Sequence, residues 1–199
     1  KEKGVVEGLI ARAFKADKRP VWLPDGVASL TRARDLNPED FDTWSSLGGV
    51  MKNVRKDSAQ ALAMYRRAAQ ISDDHPYPLL NALRLQAQAD GGLDLTAPAV
   101  QVSLAKARQL RLGQTLAEPP ADTPWCFFDL AEIALYQGDV AGFKDAVDAG
   151  IRASVQGWQL DTFLRSLQGL AGNAGIKGLP REALADGIAQ LEAAKRPVG

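Results

Sequence analysis

Apolar residues recur at intervals of three and four along nearly the whole chain, the spacing of helices that turn one face inward. Val5, Val6, Leu9, Ile10, Ala13 and Phe14 make a first stripe. Lys18-Arg19-Pro20 and Pro24-Asp25-Gly26 interrupt it, and Val27, Leu30, Ala33 and Leu36 make a second. Trp44, Leu47, Val50 and Met51 form a third. A fourth starts at Asp57-Ser58 and carries Ala61, Leu62, Met64, Tyr65, Ala68, Ala69 and Ile71. Pro76 and Pro78 open a fifth segment, with Leu79, Leu80, Leu83 and Leu85, that ends at Gly91-Gly92. Proline suits a first helical turn, where its missing N–H has no partner to lose. Pro98 opens a sixth, with Val100, Val102, Leu104, Ala107 and Leu110, and a Pro-rich linker follows from Gly113 to Pro124. Further segments begin near Trp125, Val140 and Trp158, and Pro180 opens the last, with Leu184, Ile188 and Leu191. Sustained alternation of the strand type is missing. The pattern predicts an all-α chain of ten helices, paired by short loops into five antiparallel hairpins.

The most specific stretch is ARDLNPEDFDTWSSLGG, residues 33–49. Ala33 and Leu36 close one helix and Pro38 stops it. Asp40 or Asp42 can cap the next, which Trp44, Leu47 and Gly48 open. Ala61, Tyr65 and Ala68 follow in the helix after that. Small residues such as Gly48 and Ala68 let two backbones approach, and Trp44 and Tyr65 fill the larger gaps, each aromatic burying on the order of 150–250 Å². This spacing resembles the tetratricopeptide repeat (TPR) family, whose unit of about 34 residues is a helix–turn–helix. A weaker echo lies further on. Trp125 and Trp158 stand 33 residues apart, each followed by a helix holding a similar tetrapeptide, DAGI at 148–151 and ADGI at 185–188. Phe128-Asp129 occupies the place of Leu-Gly, and residues 76–112 lack the marks.

The resemblance implies a right-handed α-solenoid of about five antiparallel helical hairpins, a single TPR-like domain over 1–199 with a point of subdivision at the 113–124 linker. It also implies a concave groove, lined by the first helix of each hairpin, that holds a peptide or protein. The family's groove positions fall on Ser45, Gly49, Lys52 and Asn53, with Asn81 and Arg84 on the next hairpin and Asp129 and Glu132 as an acidic stretch beyond. Family members that clamp a C-terminal carboxylate use Lys and Asn where this chain has Ser45 and Gly49. The clamp is therefore not carried over, and Lys52 and Asn53 are left as the polar contacts.

Composition narrows the function without naming it. The chain has 199 residues, 46% of them hydrophobic, with 24 basic and 24 acidic side chains and a formal net charge of zero. That length and composition support a core without metal or disulfide. The charge balance argues against a general nucleic-acid or membrane-surface binder, both of which need a positive field, and leaves room only for a local basic patch. One such candidate is Lys52, Arg55 and Lys56 with Arg66 and Arg67, and another is Lys106, Arg108 and Arg111; each also reads as a solvated helix face. The single cysteine, Cys126, excludes an internal disulfide and fits a reducing, cytoplasmic setting. No apolar run reaches the roughly 18 residues of a spanning helix, so direct membrane insertion is not expected. The start at Lys1-Glu2-Lys3-Gly4, with no initiator Met, reads as a processed product or a piece of something longer.

Candidate chemistry is sparse. His75, the only histidine, sits in SDDHPYP between two acids and a proline, where a loop or cap role outweighs metal ligation. Cys126 adjoins Trp125 in an apolar run without a neighbouring base, so a structural thiol is expected. Phosphate-loop, hydrolase and zinc motifs are missing. The expectation is a non-catalytic interaction module without cofactor or metal. A different reading has an all-α domain with a small-ligand pocket or active site between hairpins, Trp22, Trp125 and Trp158 lining it. A third has a self-associating structural repeat.

Overall fold

Aspartates start three of the helices. Asp40, Asp57 and Asp139 stand at N-cap positions and accept backbone N–H bonds from Asp42 (3.2 Å), Gln60 (2.9 Å) and Gly142 (2.9 Å). Each bond satisfies a first-turn amide that has no partner within its helix. Of the two candidates for the third helix, Asp40 is the cap, and it also accepts the Thr43 hydroxyl at 2.7 Å. The computed structural model describes residues 1–14, 20, 22–89 and 92–195. The predicted break at Lys18-Arg19 and the glycine stop at Gly91 lie outside the described residues.

Among the described residues the protein is all-α. It has ten helices: α1 (Glu2–Ala13), α2 (Val27–Leu36), α3 (Phe41–Val50), α4 (Ser58–Ile71), α5 (Pro76–Gln88), α6 (Pro98–Thr115), α7 (Trp125–Tyr136), α8 (Val140–Ala153), α9 (Gly157–Ala171) and α10 (Arg181–Ala194). The chain divides into two compact units, Lys1–Leu85 and Gln86–Gly199. The 113–124 stretch falls inside the second unit, and α6 runs through Gly113 to Thr115.

In the first unit α1 packs on α2, α2 on α3 and α3 on α4. The core holds Leu30, Leu47 and Val50, and a second cluster of Met51, Ala61, Tyr65, Ala82 and Leu85 brings in α5. Gly48 and Tyr65 meet where α3 crosses α4: a Cβ at position 48 would stand 3.0 Å from the Tyr65 ring carbons. Trp44 is half-buried, its indole donating to the Pro38 carbonyl at 2.8 Å with the Arg34 guanidinium 5.4 Å above its ring. It braces the joint between α2 and α3.

The stripe on α1 faces the other way from a core stripe. Val6, Leu9, Ile10 and Phe14 are exposed, and the buried row is Gly4, Gly8 and Ala11. The cause is backbone proximity. A Cβ at Gly4 would come within 2.6 Å of Leu30 Cγ, and Gly26, at φ +86°, lies against the Gly4 carbonyl. Only small residues allow that approach. Leu36, at the end of the α2 stripe, is also exposed.

In the second unit α7 lies between α6 and α8, and α10 packs on α8 and α9. From Cys126 to Tyr136, α7 is buried almost all round, as a central helix must be. The two similar tetrapeptides have one physical role. Gly150 lies against Phe128 and Gly187 against Phe143, where an added Cβ would stand 2.4 and 2.5 Å from ring carbons. On α6 the apparent stripe splits. Val102 and Leu110 face solvent, while Leu104, Ala107 and Arg111 are buried.

One element has no signature in the pattern. β1 (Leu93–Asp94) and β2 (Ile176–Lys177) pair in parallel, Leu93 opposite Ile176. Two residues per strand are too few to alternate visibly. Asn173 donates to the Ala87 carbonyl at 2.6 Å, and Lys177 Nζ to Asp94 at 2.8 Å. The Lys177 bond, with those from Thr96, holds the Asp94 carboxyl down at about 2, below its ordinary 3.8. A lowered carboxylate pKa stabilises the fold above the unfolded value, and the contribution disappears as pH falls through the folded one. Between pH 4 and 2 the clip is expected to loosen. Faster exchange of the Leu95 and Thr96 amides in that window checks it, and Asp94→Asn is expected to show no such pH step.

Candidate partner-binding face

Two of the residues carried over from the family pattern, Lys52 and Asn81, meet in the first unit, with Asn53 and Arg84 near them in sequence. After Val50, α3 continues as a π-helical turn, Met51–Arg55, closed by Lys56 at φ 59°. The wider turn re-aims the side chains it carries, and such turns are frequent at functional sites. It presents Lys52 and Asn53 beside α5, which presents Asn81 and Arg84. Lys52 Nζ donates to Asn81 Oδ1 at 3.2 Å, and Asn81 Nδ2 donates to the Tyr77 carbonyl at 2.9 Å. Asn53 Nδ2 donates to the Gly49 carbonyl at 2.9 Å. Lys52, Asn53 and Arg84 are half-buried, so their stems are packed and their heads retain access to water. Tyr77 is exposed and stands edge-on to Tyr65, with ring centroids 6.1 Å apart. Burial pushes the Tyr65 hydroxyl's pKa far up, so that ring is a neutral packing group. Asn81 is itself buried, 7% exposed, with both ends of its amide engaged, so it positions Lys52 instead of meeting a partner; the face offers the partly exposed Lys52, Asn53 and Arg84 with the Tyr77 ring. It is chemically suited to carboxylates and peptide groups.

Three other residues require correction. Ser45 is fully buried, and its hydroxyl donates to the Phe41 carbonyl at 2.9 Å within its own helix. Glu132, in the second unit, is also fully buried and accepts the Tyr136 hydroxyl at 2.7 Å. Asp129 is bound by the Arg111 guanidinium. The acidic stretch is thus an internal feature of α7. Arg111, 1% exposed, also reaches Asp122 at 2.7 Å and Gln114 at 2.5 Å. Burial opposes its charge, but Asp129 and Asp122 outweigh that and raise its pKa. A signal for this was present, since Arg111 continues the Leu104 and Ala107 row at the next helical step.

The remaining candidates are structural. His75 accepts the Tyr77 N–H on Nδ1 at 3.3 Å, and its ring lies 4.9 Å from Phe41, so it helps start α5. Burial pushes the Cys126 thiol up, away from the thiolate a nucleophile needs. Trp22 is 81% and Trp158 54% exposed, so neither lines an internal cavity. Trp158 instead leans on half-buried Trp125, centroids 5.8 Å apart. Among the described residues no three His, Cys, Asp or Glu side chains gather as a metal site, and no helix is long and apolar enough to cross a membrane. No family model, curated protein or solved structure matches the chain.

Proposed function

We propose that this chain is a non-catalytic protein–protein interaction module of the TPR-like kind, a scaffold or regulatory domain that holds a peptide or protein. The face carrying Lys52, Asn53 and Arg84, with buried Asn81 positioning Lys52, is its contact surface. The observation that carries this reading is the π-helical turn, which sets Lys52 against Asn81 of α5. The aromatic–glycine crossing of Gly48 and Tyr65 supports the kinship. A partner there presents carboxylates together with backbone amides, and the two cations steer its approach.

Affinity capture with the full chain tests the reading. Lys52→Ala, Asn53→Ala and Arg84→Ala together are expected to lower recovery of the captured partner at least tenfold, with helical content and melting temperature unchanged. Undiminished recovery by the triple variant would place the contact surface elsewhere.

A further inference from the structure

α9 and α10 border a groove of about 330 Å³, with Ala171 of α9 as one wall. Buried Leu184 and half-buried Ile188 make its floor, and the small, exposed Ala185 and Ala189 keep it open. Arg181 stands at one end of the row and Glu192 at the other, about 16 Å away along α10. Both charged residues are exposed. Arg181 commits Nη2 to the Asn173 and Ala174 carbonyls at 2.9 and 3.2 Å, and Glu192 accepts an N–H of the Gln168 carboxamide at 3.3 Å. Among the described residues neither is paired with an opposite charge, whereas Asp186 of the same helix is held by Lys144 at 3.1 Å. Arg181, Ala185, Ile188 and Glu192 recur at four, three and four, the spacing of a two-helix seam.

We infer that this groove is an interface between two copies of the chain, α10 of one lying antiparallel on α10 of the other about a two-fold axis midway between Asp186 and Gly187. Arg181 and Glu192 are equidistant from that point, as are Ala185 and Ile188, and Leu184 and Ala189. Any helix face can be laid on itself in this way; what distinguishes this one is which residues then meet. Arg181 faces Glu192 of the copy, and the same pair forms again at the opposite end. Ala185 faces Ile188, a small residue against a large one, also twice. Ala189 comes level with the Leu184 floor, where it adds little bulk. Nε and Nη1 of Arg181 are the donors left for the carboxylate. A parallel pair would instead set Arg181 against Arg181, Glu192 against Glu192 and Ile188 against Ile188. Charge therefore selects both a like partner and its direction. A segment of one sign, acidic or basic, would be attracted at one end of the groove and repelled at the other.

Area sets the strength. Half the surface of a helix about 21 Å long and about 11 Å wide is roughly 350 Å² per copy, or about 700 Å² for the pair. That is the range of weak, transient contacts, so the two copies exchange readily. The two ion pairs are open to water, which makes the association sensitive to salt. The groove lies within the second unit and does not depend on the Lys52 face.

Sedimentation velocity of the full chain at rising concentration tests the proposal. The mass is expected to climb from 21.3 kDa toward twice that value. Glu192→Arg sets Arg181 against a second cation, and Arg181→Glu sets Glu192 against a second acid. Each alone is expected to raise the dissociation constant at least tenfold at unchanged helical content. An equimolar mixture of the two variants is expected to associate again, because each copy then supplies the charge the other lacks at both ends. Ile188→Glu is expected to weaken the pair by a similar factor without touching either terminal charge. Should Arg181→Glu unsettle the loop whose carbonyls the arginine binds, Glu192→Arg and Ile188→Glu carry the test. A constant monomer mass, association undisturbed in well-folded Glu192→Arg or Ile188→Glu, or a mixture of folded charge variants no tighter than either alone would overturn it.

Discussion

Replacing Arg111 with alanine is expected to cost the second unit about 3–5 kcal/mol of stability, the scale for removing one partner of a buried ion pair. The guanidinium is 1% exposed and joins three segments: Gln114 on its own helix, Asp122 in the following loop and Asp129 on α7. Without it the Asp129 carboxylate, 16% exposed, is left in a site that no longer solvates it. Asp122 is 46% exposed, and water replaces its share of the contact, so Asp122→Asn is expected to cost no more than about 1 kcal/mol. The asymmetry separates charge burial from simple loss of bonds. Joint replacement, Arg111→Met with Asp129→Leu, removes both charges from the interior and should recover much of the loss. Urea unfolding followed by far-ultraviolet circular dichroism reads all four proteins. Equal losses for Asp122→Asn and Arg111→Ala, or a double variant no better than Arg111→Ala, would show that the buried charge is not what the site depends on.

Arg111 also marks where sequence reasoning stops. Helical periodicity locates each of the ten helices, because a three-and-four spacing is a local property of the chain. It does not say which side of a helix becomes the inside. On α1 the large residues point outward because Gly4 and Gly8 let the backbone approach Leu30 and Gly26, an arrangement decided by a neighbour rather than by hydrophobicity. On α7 burial all round turns Asp129 and Glu132 from an expected acidic surface into internal groups, each with its own partner. Both outcomes depend on tertiary contacts that one helix does not encode. The Lys52 face was legible only in its residue types. The π-helical turn that brings Lys52 to Asn81 ends at left-handed Lys56, and periodicity registers neither feature. The β1–β2 clip is invisible for a different reason, since it joins residues 83 positions apart through a pair of two-residue strands.

The glycine–aromatic crossings should reverse the usual rule for glycine in helices. Glycine is about 1 kcal/mol worse than alanine in a helix interior, so Gly48→Ala, judged on α3 alone, would stabilise. Here the new methyl would stand 3.0 Å from Tyr65 Cδ2 and Cε2. Tyr65 is 1% exposed among Met51, Ala61, Ala82 and Leu85, so its ring has nowhere to move. Overpacking of this kind typically costs 1–3 kcal/mol, which outweighs the gain in propensity. Tyr65→Ala is expected to lose about 3–5 kcal/mol through the cavity it leaves. Combined with Tyr65→Ala, Gly48→Ala should change sign, becoming neutral or stabilising, because the methyl then enters empty space. The coupling between the two sites is therefore expected to be of order 1–3 kcal/mol and opposite to additive behaviour. Denaturant titration of the four corners of this cycle measures it. If Gly48→Ala destabilises equally in both backgrounds, the helices are held apart by something other than the ring, and glycine at this crossing reflects a backbone requirement instead of a fit between a bulky residue and a small one.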